Sequence, residues 1–413
     1  MSKTCIFLTS RYPFGYHETF IENEINFLSK NFDNILILSY GSSKKRIRKV
    51  PTNVSWESLE VFDIKFKKIR KFIAGLFFKK IIFQKNILKT LYSIYVNGGI
   101  SIGFKKAKKI ILKKQFDVSN CVIYSYWLGE QASIAWELKK YFLSKNNQNN
   151  IVAISRAHRC DLYSEYAPLH YLPEQYDSIL NLDHIYSCNL VGESYLKRKY
   201  PKFAFKISVA YLGTQDFGLG PKKNVSLIHF VTCSNIIPIK RIDLFAKVFC
   251  ILSEKHDNIL WTCIGDGKDK QKINKIIANS KAIEKVTFLG QLSNEEVISF
   301  YKNNYVSFFV NTSKIEGLPV SVMEAMSFGI PCIATDVGGT SELVNDENGL
   351  LISENFDCFD LADKIESLLL LNDAEIAKKR VASRQTWENN SYSCRNYNDF
   401  YANIIKLLYN NKK

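Results

Sequence analysis

Two carboxylates eight positions apart, Glu316 and Glu324, share the stretch EGLPVSVMEAMSFGIPCIATDVGGTSE with two prolines and a glycine pair. Carboxylates bind hydroxyl groups well and repel phosphate, whereas backbone amides and cations do the reverse. Pro319 predicts the start of a helix, Gly329 a left-handed cap at its end, and Pro331 a block to its continuation. A short strand follows over Pro331 to Thr335, and Gly338 with Gly339 opens a second helix near Thr340. Each of the two helix N-termini would present unpaired N–H groups and a positive dipole end, an arrangement that suits a diphosphate. Gly317, Leu318, Pro319, Val320, Gly338, Gly339 and Thr340 are the backbone that would line it.

Cations occur where such an anion needs them. Lys240 and Arg241 fall at the start of the helix IDLFAKVFCILSEK, where positive charge opposes the helix dipole by a few tenths to ~1 kcal/mol unless an anion sits between them and the amides. The alternative is a pair of solvated surface cations. Gly267 and Gly290 each end a strand and would let a flat base approach the backbone. His158 lies just past the strand Ile151 to Ser155, flanked by Arg156, Arg159 and Asp161, either as a cleft-edge functional group or as a structural hydrogen-bonder. In the first loop, Gly15, His17 and Glu18 would face the same cleft, with ordinary helix-start chemistry as the other reading of Glu18.

The elements that must hold these residues read as α/β. Apolar runs at Cys5 to Thr9, Ile35 to Ser39, Cys121 to Trp127, Ile151 to Ser155, Ile185 to Cys188 and Ile207 to Tyr211 alternate with helical segments, including Ile21 to Lys30 and Gln131 to Leu143. A second series starts at Leu227 and repeats strand, loop and helix. The expected organisation is two doubly wound domains, residues 1–215 and 216–390, and a terminal helix, 391–413, that crosses back to the first. There is no G-x-G-x-x-G and no G-x-x-x-x-G-K-[ST], which disfavours a dinucleotide dehydrogenase or P-loop ATPase, and no D-x-D to hold a metal. No metal or other cofactor is expected. The 10 cysteines are scattered without a C-x-x-C pair and read as reduced core residues, and the N-terminus lacks a secretory pattern, so a cytoplasmic location is expected.

The net charge of +16 is regional. Between Lys44 and Lys114 there are 20 Lys and Arg against three acids, 20 − 3 = +17, leaving the rest near neutral. Phe66, Ile69, Phe72, Ile73, Leu76, Phe77 and Ile81 recur at helical spacing among these cations. Such a helix either lies on an anionic membrane surface, making the protein peripheral on the inner face, or packs its apolar stripe on the protein. Nucleic acid is not expected, because the aromatics sit on the apolar stripe.

The block from Glu316, with SNIIPIKRIDL around Lys240, YPFGYHETFIENEI near the N-terminus and SRAHRCDLY around His158, resembles the family 4 glycosyltransferases. The resemblance implies a GT-B fold, two Rossmann-like domains facing across a cleft, and a retaining hexosyltransferase. It implies that Glu316 contacts the donor sugar, Glu324 the ribose, Lys240 the diphosphate, and that His158 lies near the reacting sugar. Gly317, Leu318, Pro319, Val320, Gly338, Gly339, Thr340, Gly290 and Arg241 fall on the donor side, and Gly15, His17 and Glu18 on the acceptor side. Many members carry an arginine five residues before that lysine; Asn235 stands there, so Arg241 or the backbone amides must supply the missing charge. The substrates implied are a UDP- or GDP-sugar and a saccharide acceptor, and the basic, aromatic-rich acceptor domain suits a lipid-linked one, as in assembly of bacterial capsule or O-antigen. Other readings are an epimerase or phosphorylase on the same fold, or a non-enzymatic membrane or nucleic-acid binding protein.

Overall fold

Every apolar run expected to be a strand forms one, and all the strand ladders are parallel. The computed structural model describes residues 2–15, 18, 20–41, 48–61, 67–78, 84–223 and 226–410, so the expectation for His17 lies outside the described residues, as do Phe66 and Ile81. The chain divides into two units, Met1–Tyr211 with Tyr397–Lys413, and Leu212–Asn396.

In the first unit the strands are β1 (Thr4–Thr9), β2 (Asn34–Ser39), β3 (Val54–Ser58), β4 (Asn120–Ser125), β5 (Asn150–Ala157), β6 (His184–Ser187) and β7 (Ile207–Val209), in the order β3-β2-β1-β4-β5-β6-β7. The helices are α1 (Phe20–Asn31), α2 (Lys67–Leu76), α3 (Ile87–Lys113), α4 (Glu130–Lys145), α5 (Arg159–Leu162), α6 (Gln175–Asn181) and α7 (Leu190–Lys199). The central strands are apolar on both faces because both are covered. Ile6 and Leu8 of β1 pack with Ile100 of α3 and Ile134 of α4, while Cys5 and Phe7 pack with Ile25 of α1 and with Phe400 and Ile404 of the terminal helix. The order reverses between β1 and β4, and at such a switch point the loops beyond the strands' carboxyl ends diverge and leave room for a ligand.

The second unit is built alike. Its strands are β8 (Ile228–Cys233), β9 (Ile259–Ile264), β10 (Val286–Gly290), β11 (Phe308–Asn311), β12 (Cys332–Thr335) and β13 (Gly349–Ile352), ordered β10-β9-β8-β11-β12-β13, with the switch between β8 and β11. Its helices are α8 (Ile242–Lys255), α9 (Lys270–Ile277), α10 (Asn294–Asn303), α11 (Val320–Ser327), α12 (Cys358–Leu369) and α13 (Asp373–Asn390). The last helix, α14 (Ser393–Asn410), belongs to the first unit from Tyr397 onward. There its Tyr401 hydroxyl donates to the buried Glu24 at 2.7 Å.

Two expectations change. The second helix near Thr340 is a three-residue 3₁₀ turn, Thr340–Glu342, so the glycine pair opens no helix with a usable N-terminus. In the basic region, α2 meets α3 through a close glycine contact and not through its apolar stripe. A Cβ on Gly75 would stand 1.8 Å from the Ile94 carbonyl oxygen, and one on Gly98 1.6 Å from that of Lys71, so two glycines let the backbones touch. Lys71 is buried at this contact, 3.8 Å from Glu130, with the Tyr95 ring 5.0 Å away. Of the apolar stripe, Ile69, Ile73, Leu76 and Phe77 are left exposed.

Candidate active site

In the second unit, the loops leaving β8 and β11 meet at the switch point. Lys240 ends a 3₁₀ turn, Pro238–Lys240, and its Nζ donates to Glu316 Oε1 at 2.6 Å. Asn311, the last residue of β11, adds a longer contact to the same oxygen at 3.4 Å. The loops are tied by backbone: Lys314 N–H donates to the Ile239 carbonyl at 2.8 Å, and the Thr312 hydroxyl to the Arg241 carbonyl at 3.0 Å. A buried carboxylate beside a half-buried ammonium, at the carboxyl end of parallel strands, can bind hydroxyls on one side and a phosphate oxygen on the other.

Arg241 does something different from what its position implied. Its backbone is left-handed, φ 50°, and its guanidinium donates to three carbonyls, Thr312 at 2.7 Å, Glu354 at 2.7 Å and Ser313 at 3.1 Å. These three bonds clamp the β11 loop that carries Glu316, a structural role beside the expected phosphate contact. Asn235 is exposed in the β8 loop.

The helix after Glu316 begins as expected, with Pro319 capping α11 and Gly329 closing it at φ 70°. Glu324 is buried on α11 and accepts from Asn294 Nδ2 at 2.6 Å. Burial pushes its carboxyl up to about 7, against the pull of that hydrogen bond. Asn294, the first residue of α10, was not singled out in the sequence; its signal is the Ser-Asn-Glu-Glu capping box that places it beside the turn after Gly290. Gly290 is left-handed, φ 72°, with open space where a Cβ would be.

The glycine pair seats the Glu316 loop. A Cβ on Gly338, whose φ is 59°, would lie 2.1 Å from the Glu316 carbonyl oxygen, and Gly339 N–H donates to the Gly317 carbonyl at 2.7 Å. Thr340 N–H donates to the Val337 carbonyl at 3.2 Å. The Gly339 amide, expected on a diphosphate, thus bonds to the Glu316 loop, and the Thr340 amide to its own turn. Leu318 is buried beneath it, and Gly317 and Val320 stay partly exposed at the head of α11, where the first amides of the helix have no intrahelical acceptor.

The first unit gathers a second set of residues. His158 follows β5 and is buried against Trp127 and Tyr126, ring centroids 4.8 and 4.9 Å away. Asp161 fixes this turn by accepting from the His158 N–H and the Leu128 N–H, each at 2.6 Å. Among the described residues His158 Nε2 is buried without a hydrogen-bond partner. Burial first, then the Arg156 charge, pushes the ring down to about 3, so it is neutral near pH 7. Arg156 itself turns into the core, 3.5 Å from Glu24 and stacked on Phe400.

Glu18 is a staple, not a substrate ligand. Its carboxylate accepts from the amides of Ser10, Arg11 and Tyr12 at 3.0, 2.6 and 2.7 Å and from the Trp127 indole at 2.6 Å, which exhausts its strong acceptor directions. Through Trp127 it shapes the wall beside His158. Gly15, at φ 70°, faces open space. Trp127, read as the end of a strand, proves to lie two residues past β4, at the switch point. Among the described residues no cluster of three or more His, Cys, Asp or Glu could hold a metal ion.

Residues 220–392 match the family described as Glycosyl transferases group 1. That stretch contains Lys240, Glu316, Asn294 and Glu324. A poly(ribitol-phosphate) α-N-acetylglucosaminyltransferase of Staphylococcus aureus is 34% identical over 140 residues, 33% of this chain and 27% of its own length. The matches to the curated relatives span less than half of those proteins. Among solved structures, a lipopolysaccharide outer core galactosyltransferase superposes with TM-score 0.68 at 16% identity, covering 98% of this chain and 99% of its own. A mutant of S. aureus TarM, solved with fondaparinux, α-GlcNAc-glycerol and UDP, superposes with TM-score 0.67 at 14% identity, covering 99% and 100%. The fold is GT-B, built of two Rossmann-like domains.

Proposed function

We propose that this chain is a retaining hexosyltransferase of the family 4 type that moves a sugar from a nucleotide-sugar donor to a saccharide acceptor. The observation that carries the reading is the Lys240–Glu316 pair, 2.6 Å apart at the switch point of the second unit. Lys240 supplies the cation a diphosphate needs, Glu316 an acceptor for sugar hydroxyls, and Glu324 an acceptor for ribose hydroxyls. The UDP in the TarM complex supports a UDP-sugar donor, with a GDP-sugar as the other expected choice. With no metal site expected, the diphosphate charge is met by Lys240 and the first amides of α11.

The acceptor hydroxyl oxygen attacks the anomeric carbon on the face that the diphosphate leaves, so the C–O bond to phosphate breaks as the new one forms. The departing phosphate oxygen takes the acceptor's proton, and Lys240 stabilises its charge. His158, neutral at working pH, offers Nε2 to a sugar hydroxyl as acceptor or donor. The acceptor belongs to the first unit. A poly(ribitol-phosphate) transferase and a lipopolysaccharide transferase among the similar proteins support an acceptor in bacterial surface polysaccharide such as capsule or O-antigen, carried on a lipid at the cytoplasmic membrane face.

The test is a panel of UDP- and GDP-sugars with the full chain, read by nucleotide release and by thermal stabilisation. One donor should raise the unfolding temperature and release its nucleotide in the presence of a saccharide acceptor. If none of the donors does either, the reading fails.

A further inference from the structure

The hairpin of α2 and α3 turns its apolar side to solvent. Ile69, Ile73 and Phe77 are 63%, 53% and 86% exposed, and Ile87 and Leu88 at the start of α3 are 61% and 54% exposed. Since Lys71 and Gly75 make the contact with α3, this exposure follows from the helix packing itself. Beside the ridge, Lys68, Ile69, Phe72, Ile73, Tyr92 and Tyr95 line a groove of about 590 Å³. A soluble surface rarely carries so many large apolar side chains side by side unless something covers them.

The charge around the ridge identifies what covers it. Lys68, Arg70 and Lys85 are exposed on the same hairpin, and the sequence holds no acid between Asp63 and Asp117. Of the acids that α3 meets, Glu57 and Glu60 pair with Lys114 and Lys106 toward its far end, and Glu130 lies at the buried side of the hairpin beside Lys71. A second copy of this chain would bring cation against cation. A bilayer with anionic headgroups instead receives apolar side chains below its surface and cations at it.

We infer that the α2–α3 hairpin docks the protein on an anionic lipid bilayer, with Ile69, Ile73 and Phe77 inserted and Lys68 and Arg70 at the headgroups. Among the described residues no helix is long and apolar enough to cross a membrane, so the contact is peripheral. The inference rests on the lipid-linked acceptor reading for its purpose, since docking would bring the enzyme to an acceptor confined to the membrane, but not for its measurement.

The test is co-sedimentation of the full chain with vesicles of phosphatidylglycerol and, separately, of phosphatidylcholine. The wild type should bind the first and not the second. Ile73→Ser with Phe77→Ser should weaken binding at least about tenfold, and Lys68→Gln with Arg70→Gln should weaken it by about fivefold per cation and less in high salt. Both variants change exposed side chains, so their thermal unfolding and their nucleotide release from a soluble donor and acceptor should match the wild type. Undiminished binding by both variants overturns the inference. So does equal wild-type binding to the two vesicles, or a wild-type dimer that dissociates in the Ile73→Ser, Phe77→Ser variant. Failure of the transferase reading would appear as absent nucleotide release in every variant and would leave the vesicle result standing.

Discussion

Lys240 and Glu316 come from loops after different strands, 76 residues apart in sequence, and meet in a 2.6 Å charged hydrogen bond. The contact joins the cation expected on a diphosphate to the carboxylate expected on a sugar, so each holds the other's geometry before any donor binds. Lys240→Ala should therefore do two things. Turnover should fall by about 10²–10³-fold, the usual loss when one preorganised charge is removed from a developing oxyanion. Stability should fall by only about 1 kcal/mol, because Lys240 is 24% exposed and water can partly replace it. Steady-state kinetics and thermal unfolding of the same preparation check both.

The seat beneath Glu316 yields a second prediction. Gly338 is left-handed, and a methyl there would press on the Glu316 carbonyl oxygen. Gly338→Ala should cost about 2–3 kcal/mol of stability from strain and overpacking, and it should weaken donor binding more than Gly15→Ala, where there is open space. Urea unfolding and donor titration of the two variants make the comparison.

Much of this site was legible in the sequence, for reasons that differ from residue to residue. The helix Ile242–Lys255 shows its three- and four-residue apolar spacing plainly, and buried parallel strands such as Ile151 to Ser155 read as continuous apolar runs. β3 did not, because an edge strand reading Val-Ser-Trp-Glu-Ser buries only its first residue. Burial of Lys71 was hidden by its cationic neighbours, since only the approach of Gly75 and Gly98 reveals which face of α2 is inside. Glu18 and Arg241 lie in the expected loops, but their structural contacts were not legible there. Their partners, backbone groups and the Trp127 indole, converge only when the loops fold, and no local spacing announces a carboxylate with four donors or a guanidinium with three carbonyls.

Glu324 makes donor affinity depend on pH. Its folded pKa of about 7 lies above the ordinary 4.5, so the protonated form predominates below neutrality and ribose hydroxyls find a weaker acceptor. UDP affinity should rise between pH 6 and pH 8, about threefold to tenfold across the transition. Glu324→Gln should bind weakly and without that slope. Asn294→Ala removes the hydrogen bond that pulls the pKa down, so its affinity should rise at higher pH than in the wild type. Calorimetric titration at several pH values separates the three.

His158 makes stability, too, rise with pH. Its folded pKa, about 3, lies below the 6.5 of the unfolded ring, so between these values the unfolded chain binds the extra proton. The contribution of the neutral ring is complete above about 6.5 and is lost as pH falls toward 3. At pH 5 that loss amounts to about 2 kcal/mol. His158→Phe keeps an aromatic ring against Tyr126 and Trp127 while removing the titration, so urea unfolding should show a smaller drop from pH 7 to pH 5 in the variant. The variant also removes the unpartnered Nε2, and turnover should fall by about 10²-fold at pH 7 despite intact folding. A variant with wild-type turnover would reduce His158 to a packing residue. A variant with the wild-type pH dependence of stability would assign the acid sensitivity to other groups.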